Sequence, residues 1–429
     1  MSPFQLFSFS AFQLFGLVLM LCLALAPSAF SQDQGGNGGG FSLAAFSGLR
    51  LGPVKFHPRF NAGVTYDDNI YFTTKNPAAD EIWSIQPAFQ AVLGDDAALV
   101  PFRDLHIDVL ALSPDYFIVR PPEDWPGKLL ILDYGPRFQF FDRYTENNSI
   151  DQFATFNVLW PMNRLILGFD QGYQLQRTAI IETGTRTTQE LIPTTLSAAY
   201  RFSDKTSADA SLNRLDTTYD SPGLTSYTEY NNQDWFNYEL FPDFPVSLGF
   251  LGGYDEVPNN QSQTFEQLRA RARYYYTQKL TFDASAGGEL RQFEGGTSDL
   301  LSPVFDVGAG YQAAPRTALS LSGYGREYAT IVNGTYTTST GVSLGVSQGV
   351  SERLTINFTG SYFLLDYTPF QNTSAAITDG YYEVRTGVQA KLVRHLTGEL
   401  FYQWLNQQPE HAGGGFTENQ VGVRLAWAW

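Results

Sequence analysis

The stretch Val421-Gly422-Val423-Arg424-Leu425-Ala426-Trp427-Ala428-Trp429 decides the fold. Its odd-numbered positions are large and apolar and its even-numbered positions are small or polar, so a strand here has one apolar and one polar face. The same alternation recurs along the chain, and no helical pattern accompanies it to cover the apolar faces. The sequence therefore predicts an all-β, transmembrane, antiparallel up-and-down β-barrel, whose outer face meets lipid and whose inner face meets water.

Turns and links follow a regular plan along the chain. Strands with clear parity are predicted at residues 130–143, 165–176, 354–364 and 382–392, and longer polar links lie at 220–226, 258–262, 369–379 and 409–415. Short turns are predicted at 161–163, 203–205, 242–244, 277–279, 314–316, 351–353 and 394–395. Short turns on one side and longer loops on the other are typical of outer-membrane barrels. Counting from Phe56, we expect about 18 strands, within a range of about 16 to 20.

Composition excludes several classes of protein. Aromatic residues make up 15% of the 429 residues, charged residues only 16%, and glycines number 39, which suits strands and turns better than helices. The net charge of -16 argues against a nucleic-acid partner. The single cysteine, Cys22, lies in the predicted leader, so thiol catalysis and disulfides are excluded from the rest of the chain. The four histidines are scattered and no HExxH, P-loop or G-x-S-x-G motif occurs, so we expect neither an enzyme nor a bound cofactor or metal.

The chain divides into segments of different composition. Residues 1–31 carry no charge and contain an apolar run, which predicts a signal peptide removed after Ser31. A single transmembrane anchor is the alternative, since the run is nearly long enough to cross a bilayer. Residues 32–55 form a flexible glycine-rich segment, and residues 56–429 form the barrel. The prolines of residues 94–127 disfavour membrane-spanning strands, so we predict an insertion there on the periplasmic side.

The first predicted hairpin, over residues 56–90, contains a short motif. Its residues are Tyr66, Asp68, Asn69, Ile70, Tyr71, Asp80, Ile82, Ile85 and Pro87. The motif resembles the first hairpin of the β-barrel porin 2 family of Gram-negative bacteria. This resemblance implies an outer-membrane barrel, encoded in some genomes beside exopolysaccharide genes, and it implies no catalytic residues. Asp67, Asp68 and Asn69 offer oxygen ligands for a divalent cation, but the same residue types stabilise turns by local hydrogen bonds, and we favour the turn.

Charged residues with inward parity are the candidate pore-lining residues. They are Arg269, Arg271, Arg273, Asp283, Glu289, Arg291, Glu383 and Arg385. The first three alternate with alanines, and a tight hairpin near Gln278 would place Asp283 opposite Arg273. A row of cations facing acids across a water-filled lumen would select solutes by charge and orientation. The alternative is charge pairing that only keeps the lumenal wall hydrated and rigid.

Aromatic residues with outward parity are expected at the membrane boundary, where they would contact outer-membrane lipid and lipopolysaccharide. They are Tyr274, Tyr276, Tyr382, Tyr402, Trp404, Trp427 and Trp429. A terminal strand that ends on an aromatic residue, here Trp429, resembles the signal by which barrel-assembly machinery recognises its substrates.

These observations favour a porin-like channel in the cell outer membrane for passive diffusion of small hydrophilic solutes. The loops predicted on the external side are short, so none is expected to form a constriction. The alternative is a plugged barrel that acts as an accessory in exopolysaccharide export, in contact with polysaccharide, or as a surface scaffold. A third interpretation, an outer-membrane hydrolase, would have to use His411 in the last external loop.

Overall fold

The computed structural model describes residues 49–51, 53–94, 127–181, 184–221, 224–242, 244–258, 261–295, 299–329, 335–369, 377–409 and 415–428. The predicted signal peptide, most of the glycine-rich segment, residues 95–126 of the predicted insertion, His411 and Trp429 lie outside these ranges.

Almost all of the described residues lie in antiparallel strands. The strands are β1 (Leu49–Leu51), β2 (Val54–Asp67), β3 (Asp80–Leu93), β4 (Leu129–Tyr134), β5 (Arg137–Phe141), β6 (Ser149–Pro161), β7 (Leu165–Ile180), β8 (Thr185–Arg201), β9 (Thr206–Tyr219), β10 (Tyr227–Phe241), β11 (Phe244–Glu256), β12 (Gln263–Thr277), β13 (Leu280–Phe293), β14 (Leu300–Ala314), β15 (Thr317–Ala329), β16 (Thr335–Gly349), β17 (Leu354–Pro369), β18 (Ile377–Val393), β19 (Leu396–Pro409) and β20 (Thr417–Ala428). Each long strand pairs with its neighbours in sequence, and β20 pairs with β2, which closes the sheet.

The described strands form a closed barrel with 18 strand positions around its wall, and we call each position a stave. Strands β4 and β5 together make one stave, and β1 only adds pairs to β2 and is not counted. The predicted fold class and strand number are therefore confirmed. The expected continuous strand over residues 130–143 is wrong, since it breaks at Gly135 and Pro136. Pro136 has no N–H to donate to a neighbouring strand. A Cβ atom at Gly135 would lie 2.8 Å from the Cβ atom of Ala88, so the chain passes too close to β3 for a side chain.

The two ends of the barrel differ in their connections. The strand pairs β6–β7, β8–β9, β10–β11, β12–β13, β14–β15, β16–β17 and β18–β19 are joined by the predicted tight turns. The longer links lie at the opposite end, and the first of them is residues 68–79 between β2 and β3. We call these the tight-turn end and the long-loop end. Strand β3 ends and β4 begins at the tight-turn end, so the predicted insertion is attached there.

The outer face of the barrel is apolar. Leu212, Leu268 and Leu301 are 61%, 62% and 77% exposed, and each lies on the outward parity of its strand. Aromatic rings contact one another outside the tight-turn end, among them Phe244 and Tyr274 with centroids 5.5 Å apart. Such a ring of aromatic side chains marks the boundary between lipid and water. No helix in the described part of the chain is long and apolar enough to cross a membrane.

The inner wall is exposed at one end of the barrel and buried at the other. Inward residues near the long-loop end are buried, and Gln263, Glu289, Arg291, Leu365 and Tyr381 are each at most 2% exposed. Inward residues near the tight-turn end are exposed, as in Ser320, Thr359, Gln389 and Lys391. The lumen therefore narrows from the tight-turn end towards the long-loop end.

Candidate functional site

The three arginines of β12 all have their side chains on the lumenal wall, and each has a different acidic partner. Arg269 donates to Asp306 at 2.7 Å and Arg271 to Asp209 at 3.3 Å, and Arg273 is paired with Asp283. Asp283 lies directly opposite Arg273 in the register of β12 and β13, as predicted. Arg269 and Arg271 are 4% and 6% exposed, whereas the side chain of Arg273 is 30% exposed.

The partners of these arginines lie beside them and not across the lumen. Asp283 and Asp306 belong to β13 and β14, the next two strands after β12, and Asp209 belongs to β9, which lies on the other side beyond β10 and β11. Asp306 also accepts from Arg326 at 2.9 Å on the next strand. The ion pairs of this row therefore run along the wall, because parity fixes only the face of a strand and not the partner. Charge pairing is a feature of the alternative interpretation, a stiff and hydrated wall, and selection of solutes by this row stays a prediction.

Arg291 is the centre of a second, fully buried cluster near the long-loop end. Its Nε donates to Glu289 at 2.6 Å, and its Nη1 donates to Asp255 at 2.8 Å and to Gln263 at 2.7 Å. Arg291, Glu289 and Asp255 are 2%, 0% and 1% exposed. Charges that are buried to this extent are stable only when they are paired and hydrogen-bonded, as they are here.

The last two candidate residues, Glu383 and Arg385, belong to a third group on β18 and β19. Arg385 donates to Glu399 at 3.2 Å and to Gln403 at 3.1 Å, and Gln403 donates to Glu383 at 3.1 Å. The structure thus distributes the predicted pore-lining residues over separate groups along the wall. Their role in solute passage stays a prediction.

Sequence reasoning missed a unit that recurs on the lumenal wall, which we call the glycine–ring–arginine stack. In each stack an aromatic ring lies over the glycine directly opposite it on the next strand, and an arginine lies over the ring. The four stacks are Gly249, Trp235 and Arg271; Gly253, Phe265 and Arg291; Gly341, Tyr324 and Arg326; and Gly422, Phe401 and Arg385 with Arg424.

The distances within the stacks show close contact. The guanidinium carbon lies between 4.0 Å and 4.8 Å from the ring centroid, within the range of cation–π attraction. A signal for the stacks is present in the sequence, because inward glycines such as Gly249 and Gly422 alternate with the outward apolar residues. These glycines identify the stacks only when the register of the strands is known, because the register places an aromatic ring opposite each glycine.

The link between β2 and β3 folds into the mouth at the long-loop end. Asn69 is 1% exposed, and its side chain binds Thr73 and the carbonyl oxygen of Thr417 on β20 at 3.0 Å. The ring of Phe72 stacks on Phe416 with centroids 4.9 Å apart, and Phe72 has a positive φ of 53°. The expectation that no external loop forms a constriction is therefore wrong, because inward contacts and not length decide where this link lies.

An apolar cluster surrounds the tip of this link. Buried Leu365, Tyr367, Tyr381, Leu405 and Phe416 contact one another, and the partly buried side chains packed against them are Phe72, Ile181 and Phe363. Ile181 comes from the link between β7 and β8, so residues from separate parts of the barrel rim meet at the mouth. The mouth is thus narrowed by apolar packing as well as by the buried charges.

The motif at Asp67, Asp68 and Asn69 forms local and cross-strand hydrogen bonds. The N–H of Asn69 donates to Asp67 at 2.8 Å, and Asp68 accepts from the N–H of Asn419 at 2.7 Å. These bonds agree with the favoured interpretation of a turn. Within the described ranges, no group of three or more His, Cys, Asp and Glu side chains is arranged to hold a metal ion.

Asp220 lies in the link between β9 and β10, and its surroundings shift the pKa of its carboxyl group. Burial raises the pKa of its carboxyl group, but hydrogen bonds from the hydroxyl groups of Thr187 and Thr188 and from the Thr188 N–H outweigh burial and hold the pKa below its usual value. The carboxylate is therefore a fixed acceptor that joins the β9–β10 link to the start of strand β8.

Comparison with known proteins gives only structural likenesses. No family model and no curated sequence matches the chain. The barrel is similar to the crystal structure of Pseudomonas aeruginosa OpdQ, with 8% identity, a TM-score of 0.48 and coverage of 88% of this chain and 100% of that chain. It is similar to the crystal structure of Pseudomonas aeruginosa OccK2 (OpdF), with 10% identity, a TM-score of 0.48 and coverage of 87% of this chain and 98% of that chain. It is also similar to Acinetobacter baumannii OccAB4, with 10% identity, a TM-score of 0.46 and coverage of 88% and 99%.

The placement of the protein follows from its own architecture. The described strands close an antiparallel barrel of 18 staves with an apolar exterior and a polar lumen. A closed sheet leaves no unpaired strand edge in lipid, and this combination is the architecture of outer-membrane barrels of Gram-negative bacteria. The chain is an outer-membrane β-barrel protein.

Proposed function

We propose that the protein is a channel for the passive passage of small hydrophilic solutes across the outer membrane. The observation that carries the proposal is the closed barrel of 18 staves whose inner wall bears ordered, paired charges. A barrel of this size encloses an aqueous lumen unless side chains or a segment fill it. Charges along such a wall replace part of the hydration shell of a passing solute.

The narrowed mouth limits the size of the solutes in this proposal. Phe72 and the buried cluster around Arg291 occupy the long-loop end, whereas the tight-turn end is open to water. A small solute would thus meet its narrowest passage at the mouth and a wider, charged wall beyond it.

We also propose the partners expected from the sequence: lipid and lipopolysaccharide at the outer face, and assembly machinery that recognises the terminal strand. Membership of the β-barrel porin 2 family is part of the same proposal.

Planar-bilayer recording tests the channel. Refolded protein should give discrete ohmic current steps in salt solution, and replacement of Arg269, Arg271 and Arg273 by Ser should shift the reversal potential in a salt gradient towards cation selectivity. Arg201→Ser is the matched control, because Arg201 pairs with Asp204 in an exposed turn outside the lumen. Absence of current from folded, inserted protein would refute the channel. An unchanged reversal potential would leave these arginines with a structural role only.

A second candidate function is a barrel that is closed at rest and serves as a surface scaffold. The observation that favours it is the stacking of Phe72 on Phe416 within the apolar cluster at the mouth. No feature of the described residues supports the accessory role in exopolysaccharide export. Silent bilayers from inserted protein would favour the scaffold, since a closed mouth excludes ions.

A further inference from the structure

In the stack around Phe401, the position of the aromatic ring depends on a glycine on the next strand. Phe401 on β19 lies directly opposite Gly422 on β20 and is 2% exposed. A Cβ atom at Gly422 would lie 2.5 Å and 2.6 Å from two ring carbons of Phe401, and 2.9 Å from the hydroxyl oxygen of Thr65. Non-bonded carbon atoms normally stay about 3.5–4.0 Å apart, so a side chain at this position would force the ring off the wall by about 1 Å or more.

Two arginines depend on the position of this ring. The guanidinium carbons of Arg385 and Arg424 each lie 4.4 Å from the centroid of Phe401. Arg385 is also fixed by Glu399 and Gln403, and Glu399 lies directly opposite Arg424 in the register. The ring is thus the common support of two cations on the lumenal wall.

We propose that Gly422 is a positioning residue that sets the width and the charge selectivity of the lumen. Its missing side chain lets Phe401 lie flat against the wall, and the flat ring holds Arg385 and Arg424 beside the wall and away from the lumen axis. A larger residue would push the ring and its arginines inwards. This inference rests on the proposed channel function. Gly249, Gly253 and Gly341 occupy the corresponding place in the other stacks, where a Cβ atom would lie 2.3 Å, 2.2 Å and 2.7 Å from the ring.

The test is a cycle of variants in planar bilayers: wild type, G422A, F401A and the double variant F401A/G422A. Gly360→Ala is the matched control, because Gly360 lies on the outer face of β17 and a Cβ atom there would meet only Phe358, at 3.5 Å. We expect G422A to lower the single-channel conductance and to shift the reversal potential, while G360A leaves both at the wild-type values. Once the ring is absent, G422A should have no further effect, so F401A and the double variant should conduct alike.

Two results would overturn the proposal while the channel function stands. One is wild-type conductance and reversal potential in G422A. The other is an equal effect of G422A with and without Phe401, since the glycine would then act through the backbone and not through the ring. If G422A fails to fold, the F401A variant alone tests the proposal, because it removes the support of both arginines without crowding the strand. An unchanged reversal potential in F401A would then refute the role of the ring. Silence of the wild type refutes the channel and with it the role in selectivity.

Discussion

Replacement of Arg291 by Met should strongly destabilise the barrel. The variant keeps most of the side-chain volume but removes the cation that pairs with Glu289 at 2.6 Å and Asp255 at 2.8 Å and donates to Gln263 at 2.7 Å. Both carboxylates are almost completely buried, so neither can recover its hydration without a rearrangement of the wall. Breaking a buried pair by removing one partner costs about 3–5 kcal/mol, and the contact of Arg291 with the ring of Phe265 at 4.8 Å is lost as well.

Urea unfolding of the refolded protein in lipid vesicles, followed by tryptophan fluorescence, measures this loss. The expected result for R291M is a free energy of unfolding lower by about 3–5 kcal/mol. The triple variant R291M/E289Q/D255N should recover part of that loss, because it neutralises the two carboxylates to which Arg291 donates directly. Arg201→Ser, at an exposed ion pair, should change the free energy by at most about 1 kcal/mol. A loss in R291M no larger than in R201S would refute the reasoning.

Further predictions concern the mouth. Phe72→Ala removes the stack on Phe416 and should raise the single-channel conductance; an unchanged conductance would show that the β2–β3 link does not limit flow. Asn69→Ala loses the bonds to Thr73 and Thr417 and should lower the local stability of the link by about 1–3 kcal/mol, measured by hydrogen exchange in residues 68–79. Because the pKa of Asp220 is held below its usual value, its contribution to stability is complete above about pH 4, the ordinary aspartate pKa, and is lost as the pH falls through the lower folded value. Hydrogen exchange at the β9–β10 link should therefore increase on acidification, and D220N should abolish that increase.

The fold could be predicted because its rules are local. A period of two residues separates the lipid face from the lumenal face on each strand, and short polar turns count the strands. Parity also placed Asp283 opposite Arg273, since a tight turn fixes the register of the two strands that it joins. The break at Pro136 had a signal in the sequence too, because proline cannot donate to a central strand pair.

Less of the candidate site than of the fold could be predicted from the sequence. Arg271 finds Asp209 across two intervening strands, and parity states which side chains share the lumen but not which of them meet. The inward fold of the β2–β3 link depends on contacts with β20 and with the β7–β8 link, which are distant in sequence. Loop length was therefore a misleading measure of constriction.

The pairing of β20 with β2 has a consequence for biogenesis. Residues 420–428 of β20 form one side of this seam and residues 59–67 of β2 form the other, so the first and last staves of the barrel are joined. Until both are in place, β2 and β19 each present an unpaired edge, and such edges readily pair with foreign strands. The bond from Asn69 to Thr417 lies just beyond the seam and can form only after the strands have met. The part of the narrowing that depends on this bond therefore requires a closed wall, and a nascent chain that lacks β20 would leave both edges open and be prone to aggregate.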